Sequence, residues 1–289
     1  MKAEMSSTAN IAQGNLVKRS LPWSLWLRQL RAIYAIETRK NFLGKRAILI
    51  YLLALLPVVM LGMLALVTPP TRNFVQLAMI YAWIYAGLIL RTMVFFGCAW
   101  IFMNLFRAEL VDRSLHYYFL SPVRREVLVL GKYLSGVVAA SVMFAASTIV
   151  SMLLLYFPHF YSDSSRYFFD GPGLGQLLTY AGVTILACIG YGAFFLVIGL
   201  FFRNPIIPAL SLYAWEWINF LLPPLLKKIS VIHYLNSLVP IPVDEGPFAV
   251  VVEPTPAWLA IPGLLLITLL VLLIAGIRIR HLEIRYGSE

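Results

Sequence analysis

The chain has 289 residues, of which 61% are hydrophobic and only 12% are charged, whereas soluble domains carry roughly 25% charged residues. This composition excludes an ordinary soluble domain, and several apolar runs reach the length of about 20 residues that a helix needs to cross a ~30 Å hydrocarbon layer. The net charge of +10 would suit nucleic acid in a soluble protein, but its distribution follows a membrane topology instead, so we expect no nucleic-acid partner.

The N-terminal part is predicted to contain a disordered cytoplasmic tail, residues 1–21, followed by an amphipathic helix over 22–46. Within that helix apolar residues recur at helical spacing: Trp23, Trp26, Leu27, Leu30, Ile33 and Tyr34. A basic helix with tryptophans on its apolar side is typical of the membrane interface. The alternative is a cytoplasmic helix that packs against the rest of the protein.

Six apolar runs predict an all-α, polytopic membrane domain over residues 47–277, followed by a cytoplasmic tail, 278–289. The predicted spans are 47–67, 84–106, 132–157, 174–202, 206–222 and 257–277. Both cysteines, Cys98 and Cys188, lie inside these runs, so we expect neither a disulfide nor a metal site.

The distribution of lysine and arginine predicts the orientation. With both termini in the cytoplasm, eighteen basic residues flank the inner ends of the spans and four lie on the other side. Basic residues prefer the cytoplasmic side, so both termini are predicted to lie inside. Of the outer segments, 225–256 contains an amphipathic stretch, KKISVIHYLNSLV, which is predicted to lie on the outer surface or to re-enter the membrane.

A dense group of charges interrupts the apolar runs between the second and third predicted spans, in the sequence FRAELVDRSLHYYFLSPVRREVLVLGKYLSG. Residues 107–119 form an amphipathic helix in this interpretation, with one charged face, Glu109, Asp112, Arg113 and His116, and one apolar face, Leu110, Val111, Leu115 and Tyr118. Such a helix could lie on lipid head groups or dock on another protein. The two carboxylates favour docking, because lipid head groups select lysine and arginine alone.

The chain resembles the membrane subunits of ABC transporters of the type-2 export class. The resemblance rests on this sequence block, the amphipathic segment before the first span, the six spans with both ends inside, and a proline-rich outer stretch between the fifth and sixth spans. The resemblance covers about residues 22–280 and implies a permease located in the cytoplasmic membrane, specifically a bacterial inner membrane. It implies a second permease half and a separate ATPase subunit that binds ATP and magnesium, with membrane lipids around them. It also implies that the helix over 107–119 is a coupling helix seated in the ATPase, through Glu109, Leu110, Asp112, Arg113 and Leu115.

The chain itself is not expected to be an enzyme or to hold a cofactor. Its Gly-Lys pairs, Gly44-Lys45 and Gly131-Lys132, lack the glycine five positions earlier and the following serine or threonine of a phosphate-binding loop. Hydrolysis of ATP would therefore take place in the partner subunit. Nothing in the residues indicates the transported substrate.

Two charges fall inside predicted spans, Arg91 and Glu216. Charged groups at such positions normally face protein or water and find a partner. They could pair with each other, Glu216 could line the substrate path or relay protons, and Arg91 could extend to the outer interface. Two other function classes therefore stay open: a secondary transporter that uses Glu216, and an integral membrane enzyme acting on lipids through the loop with His159, Asp163 and Asp170.

Overall fold

The protein is described by a computed structural model over residues 23–68, 73–111, 124–156, 166–202, 204–243, 249–250 and 253–280. All regular structure in these residues is helical. Within the described part of the chain, five helices are long and apolar enough to cross a membrane: Ala47–Val67, Phe74–Arg107, Arg125–Tyr156, Gly173–Phe201 and Ala257–Arg280. The prediction of an all-helical, multi-pass membrane protein is therefore confirmed, with five helices of spanning length where the sequence suggested six. The predicted disordered tail 1–21 and most of the C-terminal tail lie outside the described residues.

The first helix, α1, spans Trp23–Leu43 and coincides with the predicted amphipathic segment. It packs along α4 through Ile33, since a Cβ atom added to Gly131 would come within 2.9 Å of the Ile33 side chain. Trp23 and Leu27 stay exposed. One face of α1 therefore packs on the protein, and its position at the membrane interface stays a prediction.

The first spanning helix, α2, has the predicted bounds, Ala47–Val67, but the second, α3, is longer than predicted. It joins an α-helical part, Phe74–Ile84, a π-helical part, Tyr85–Val94, and a second α-helical part, Phe95–Val111. The predicted span 84–106 therefore began ten residues too late, and the coupling helix does not begin as a separate helix at 107. The reason is that FRAELV contains no glycine or proline that would end α3 there.

The centre of the bundle is formed by α3 with α4, Arg125–Tyr156, and α5, Gly173–Phe201. Phe102 of α3 is fully buried between them. If Gly136 of α4 had a Cβ atom, that atom would lie 2.8 Å from the Phe102 ring. A Cβ atom on Gly192 of α5 would lie 2.5 Å from the same ring. Glycines at these two positions therefore allow the three helices to close around one aromatic ring.

The predicted fifth span, 206–222, is not a single long helix. Helix α6, Ile206–Ile218, has 13 residues, which is about 20 Å at ~1.5 Å per residue and too short to cross a ~30 Å layer alone. A single 3-10 turn, Asn219–Leu221, follows. Pro223 cannot donate a backbone hydrogen bond, so the helix ends before it.

The chain then forms two short helices, α7, Pro224–Lys227, and α8, Val231–Leu238. α8 is part of the stretch KKISVIHYLNSLV, and its Val231, Ile232 and Leu235 side chains are buried. Val231 packs against Gly190 of α5, where a Cβ atom would lie 3.1 Å from the valine side chain. The packing therefore favours a segment that enters the bundle over one that lies on the outer surface.

The last helix, α9, Ala257–Arg280, runs in the same direction as α5. Near the middle of α5, Gly190 approaches Leu264 of α9. At the end of α5, the Phe201 ring lies 5.0 Å from the guanidinium of Arg278, in the last turn of α9. Two helices that run in parallel end on the same side, so the chain between them returns to the opposite end of the bundle.

Candidate functional site

A buried ion pair lies at the end of the bundle where Arg125, Lys132 and Arg280 are found, called the basic end below. Lys132 of α4 is 0% exposed and Glu37 of α1 is 4% exposed. The Lys132 Nζ atom donates to Glu37 Oε1 at 3.0 Å and to the Leu105 carbonyl oxygen of α3, also at 3.0 Å. One ammonium group thus joins α1, α3 and α4; these three residues are called the Lys132 junction.

A second cation supports the same carboxylate. Lys40, one turn further along α1, donates to Glu37 Oε1 at 3.0 Å, but about half of its side chain is exposed. Burial of Glu37 disfavours its charged form, yet the charges and hydrogen bonds of Lys132 and Lys40 outweigh it, so the pKa of Glu37 lies below its ordinary value. Glu37 is therefore ionised at neutral pH, and the ion pair persists.

Further contacts surround the Lys132 junction. The ring of Phe106 lies 5.3 Å from Lys132 Nζ, within range of a cation–π interaction. Ser135 donates to the Lys132 carbonyl oxygen at 2.8 Å, and Asn41 of α1 donates to the Ser135 hydroxyl at 3.3 Å. α1 is therefore attached to α4 by a hydrogen bond on one side of the ion pair and by the apolar packing of Ile33 on the other.

The predicted coupling segment begins directly beyond this junction. α3 continues from Leu105 to Val111, and α4 begins at Arg125. Glu109 and Leu110 fall on the last turn of α3, and nothing of their side chains belongs to the described part; Asp112, Arg113 and Leu115 lie outside the described residues. The Lys132 junction therefore joins the two helices that enter and leave the segment.

A second set of polar contacts connects α4 to α9 at the basic end. Arg125 donates to the carbonyl oxygens of Ile279 at 3.1 Å and Arg280 at 3.0 Å, which have no partner within α9 because they end the helix. Arg280 in turn donates to Glu126 Oε1 at 2.5 Å. The sequence predicts a helix that starts at Pro122, with Ser121 as its cap, and runs through Lys132 into the third span. The described helix begins at Arg125, and residues 121–123 lie outside the described part.

The intramembrane carboxylate predicted from the sequence, Glu216, is 3% exposed and joins α6 to α8. It accepts hydrogen bonds from the Ser230 hydroxyl at 2.8 Å, from the Val231 amide at 3.1 Å and from the Ile232 amide at 2.9 Å. Tyr191 of α5 donates to it over a longer distance, 3.4 Å. Since the first amide groups of a helix lack partners within it, Glu216 caps the N-terminus of α8 from a different helix.

The other predicted intramembrane charge, Arg91, lies at the midpoint of the helix Phe74–Arg107. It belongs to the π-helical part of α3, and its guanidinium carbon lies 5.7 Å from the ring centre of Trp217. α3 and α6 are thus neighbours here, as the proposed Arg91–Glu216 pair requires; the pair itself stays a prediction.

No family model, curated protein or solved structure matches this chain. Among the described residues, no three His, Cys, Asp or Glu side chains are grouped so that they could hold a metal ion. Two polar clusters of the described residues are the candidate functional sites: the Lys132 junction at the basic end and the Glu216 cap deeper in the bundle.

Sequence reasoning identified Glu216 but missed the pairing of Glu37 with Lys132. One feature could have indicated it. Glu37 follows Ile33 by four residues, so the only acidic side chain of α1 lies on the same face as an apolar packing residue. A carboxylate on a packed face needs a cation, and Lys132 lies on a helix whose neighbouring residues are mostly apolar.

Proposed function

We propose that the chain is the permease subunit of an ATP-driven exporter of the ABC type-2 class. The observation that carries the proposal is the Lys132 junction. A segment that transmits a push from a partner needs fixed attachment points, because a flexible attachment would absorb the movement. Lys132 fixes α3 and α4 to each other on either side of the segment that resembles a coupling helix, and it fixes both to α1.

In this proposal a separate ATPase subunit binds ATP and magnesium on the cytoplasmic side. Closure of the ATPase moves the segment over 107–119, and the Lys132 junction passes the movement to α1, α3 and α4 together. Two permease halves surround the path in a bacterial inner membrane. The resemblance implies this sequence of events, and the contacts at the basic end supply a physical connection for it.

We also propose that the chain crosses the membrane six times, with both termini in the cytoplasm. The parallel directions of α5 and α9 support this, since the chain between Phe202 and Ala257 must return across the bundle. α6 makes the first part of that crossing, and the segment that includes α8 completes it. The basic end, with Arg125, Arg278 and Arg280, is then the cytoplasmic end, in agreement with the positive-inside rule.

The topology leads to a labelling prediction. A cysteine introduced at Ser164 should react with a membrane-impermeant thiol reagent from outside, whereas one at Ser288 should react only after the membrane is opened. The native Cys98 and Cys188 are buried, so they give little background in the folded protein. Labelling of both introduced cysteines from the same side would contradict the six-span arrangement.

The partnership with an ATPase is tested by changing the predicted coupling residues. Glu109→Ala combined with Asp112→Ala should reduce recovery of the ATPase subunit with the tagged chain, because truncating one partner of a buried interfacial charge pair costs about 2–5 kcal/mol. The measurement is pull-down from detergent, together with ATPase activity of the recovered complex. We expect membrane insertion to be unchanged.

The matched control is Glu253→Ala, which removes an exposed carboxylate before α9, at the end of the bundle opposite Arg278. It should leave recovery of the ATPase unchanged. If the double variant binds its partner and supports activity as the original chain does, its two carboxylates are only solvated, and the helix lies on the lipid surface instead.

The secondary-transporter alternative depends on Glu216, and the contacts of that residue favour a structural role. A proton relay needs a carboxylate that can exchange its partners, whereas Glu216 accepts three hydrogen bonds of 3.1 Å or less from the start of α8. The lipid-enzyme alternative depends on His159 and Asp163, which lie outside the described residues, and on Asp170, whose side chain does too.

A further inference from the structure

An open groove lies on the outside of the bundle at the basic end, between the end of α5 and the last two turns of α9. Phe201, Ile274, Ile277 and Arg278 line it, and its volume is about 460 Å³. The three apolar side chains are all exposed to a large extent, between 43% and 59%. In a membrane, this surface faces the acyl chains of the leaflet nearest to the basic end.

The arginine at the edge of this groove differs from its neighbours. Arg280 forms an ion pair with Glu126, and Arg125 donates hydrogen bonds to the last carbonyl oxygens of α9. Among the described residues, Arg278 contacts neither a carboxylate nor a hydrogen-bond acceptor, and its guanidinium lies over the Phe201 ring at 5.0 Å. The ring orients the guanidinium, so less side-chain entropy is lost when an anion binds to it.

The local charge also selects the ligand. Arg278 is the charged residue that lines the groove. Arg125 and Arg280 lie at the same end of the bundle, where Glu126 is the acidic residue paired with Arg280 in the described part. Arg278 lies in the last turn of a spanning helix, at the depth where head-group phosphates are found. Basic pockets between helices on the cytoplasmic side are suited to anionic head groups.

We propose that this groove binds an anionic phospholipid of the cytoplasmic leaflet. The phosphate lies against the Arg278 guanidinium, and one acyl chain lies along Ile274, Ile277 and Phe201. The apolar groove selects a lipid over free phosphate, and the excess of arginine selects a lipid with net negative charge over a zwitterionic one. This inference rests on the proposed orientation of the basic end and does not depend on the ABC exporter proposal.

The test is native mass spectrometry of the full chain in neutral detergent. Phosphatidylglycerol or phosphatidylcholine with identical acyl chains is added, and the bound lipids are counted after the detergent is removed in the instrument. The first phosphatidylglycerol should bind at least about fivefold more tightly than phosphatidylcholine. Arg278→Gln should weaken phosphatidylglycerol binding by about fivefold, because one basic residue contributes about that much to the binding of an anionic lipid. It should also remove the preference for phosphatidylglycerol over phosphatidylcholine. Arg278→Lys should lose less, since it keeps the charge but not the planar group on Phe201.

Two controls separate this groove from general surface charge. Arg28→Gln removes the same charge from an exposed position on α1 and should leave binding unchanged. Ile277→Trp fills the groove while keeping every charge, and should weaken both lipids. The proposal is overturned if Arg278→Gln binds phosphatidylglycerol as the original chain does, if Arg28→Gln weakens it equally, or if Ile277→Trp has no effect.

Discussion

Replacing Lys132 with methionine is expected to lower the midpoint of thermal unfolding by about 10 °C. Methionine fills a similar volume but leaves the Glu37 carboxylate buried without its main cation and the Leu105 carbonyl oxygen without the ammonium. Removing one partner of a buried ion pair costs about 3–5 kcal/mol, and each kcal/mol shifts the midpoint by about 2–4 °C for a chain of roughly this size. Cys98 and Cys188 are fully buried, so their reaction with a thiol reagent reports unfolding.

Lys40→Met is the matched control, because Lys40 donates to the same Glu37 oxygen over the same 3.0 Å but is about half exposed. This variant should lower the free energy of unfolding by at most about 1 kcal/mol, which is the usual contribution of an exposed ion pair. A double variant, Glu37→Gln with Lys132→Met, should recover much of the loss, since no charge is then left buried. If Lys132→Met is no less stable than Lys40→Met, the Lys132 junction does not hold the three helices together.

The stabilisation by this ion pair should also depend on pH in one direction. The pKa of Glu37 is lower in the folded protein than its ordinary value, so the stabilisation is fully present above that ordinary value. It is lost as the pH falls through the lowered pKa. The difference between the original chain and Lys132→Met should therefore stay constant near neutral pH.

The existence of most spanning helices could be predicted from the sequence, because it depends on long apolar runs. α2 has the predicted bounds, Ala47–Val67. The start of α3 was predicted ten residues too late. The contacts that Arg125 and Glu126, at the start of α4, make with Ile279 and Arg280, at the end of α9, could not be predicted either. A window of local hydropathy contains no information about such partners.

The candidate site could be predicted only in part for the same reason. Glu216 was identified because a carboxylate in an apolar run is conspicuous. Its role could not be predicted, since it binds the backbone amides of Val231 and Ile232. Backbone amides are present in any sequence, so they leave no signal in a particular one. Glu37 and Lys132 are 95 residues apart, and either one alone resembles the charged end of a membrane helix.

The second large effect is expected from Glu216→Gln, which should lower the unfolding midpoint by about 8 °C. Glutamine keeps one acceptor oxygen but turns the other position into a donor, which would face the Ser230 hydroxyl or the amide groups of Val231 and Ile232. Hydrogen bonds to a charged acceptor contribute about 1.5–3 kcal/mol each, and buried donors left without a partner add to the loss. The thiol of Cys188, one turn before Tyr191 on α5, reports the opening of this region.

Ser230→Ala is the control that separates the cap from a role in transport. It removes one of the donors and leaves both amide groups bonded to Glu216, so it should cost only about 1 kcal/mol and a few degrees. A structural cap predicts that Glu216→Gln loses stability first, and that activity per folded molecule in the assembled complex changes little. If Glu216 relays protons, Glu216→Gln should instead keep its unfolding midpoint and abolish transport, because a neutral amide cannot carry the proton. The order of these two losses therefore decides between a carboxylate that holds α8 in the bundle and one that takes part in a transport cycle.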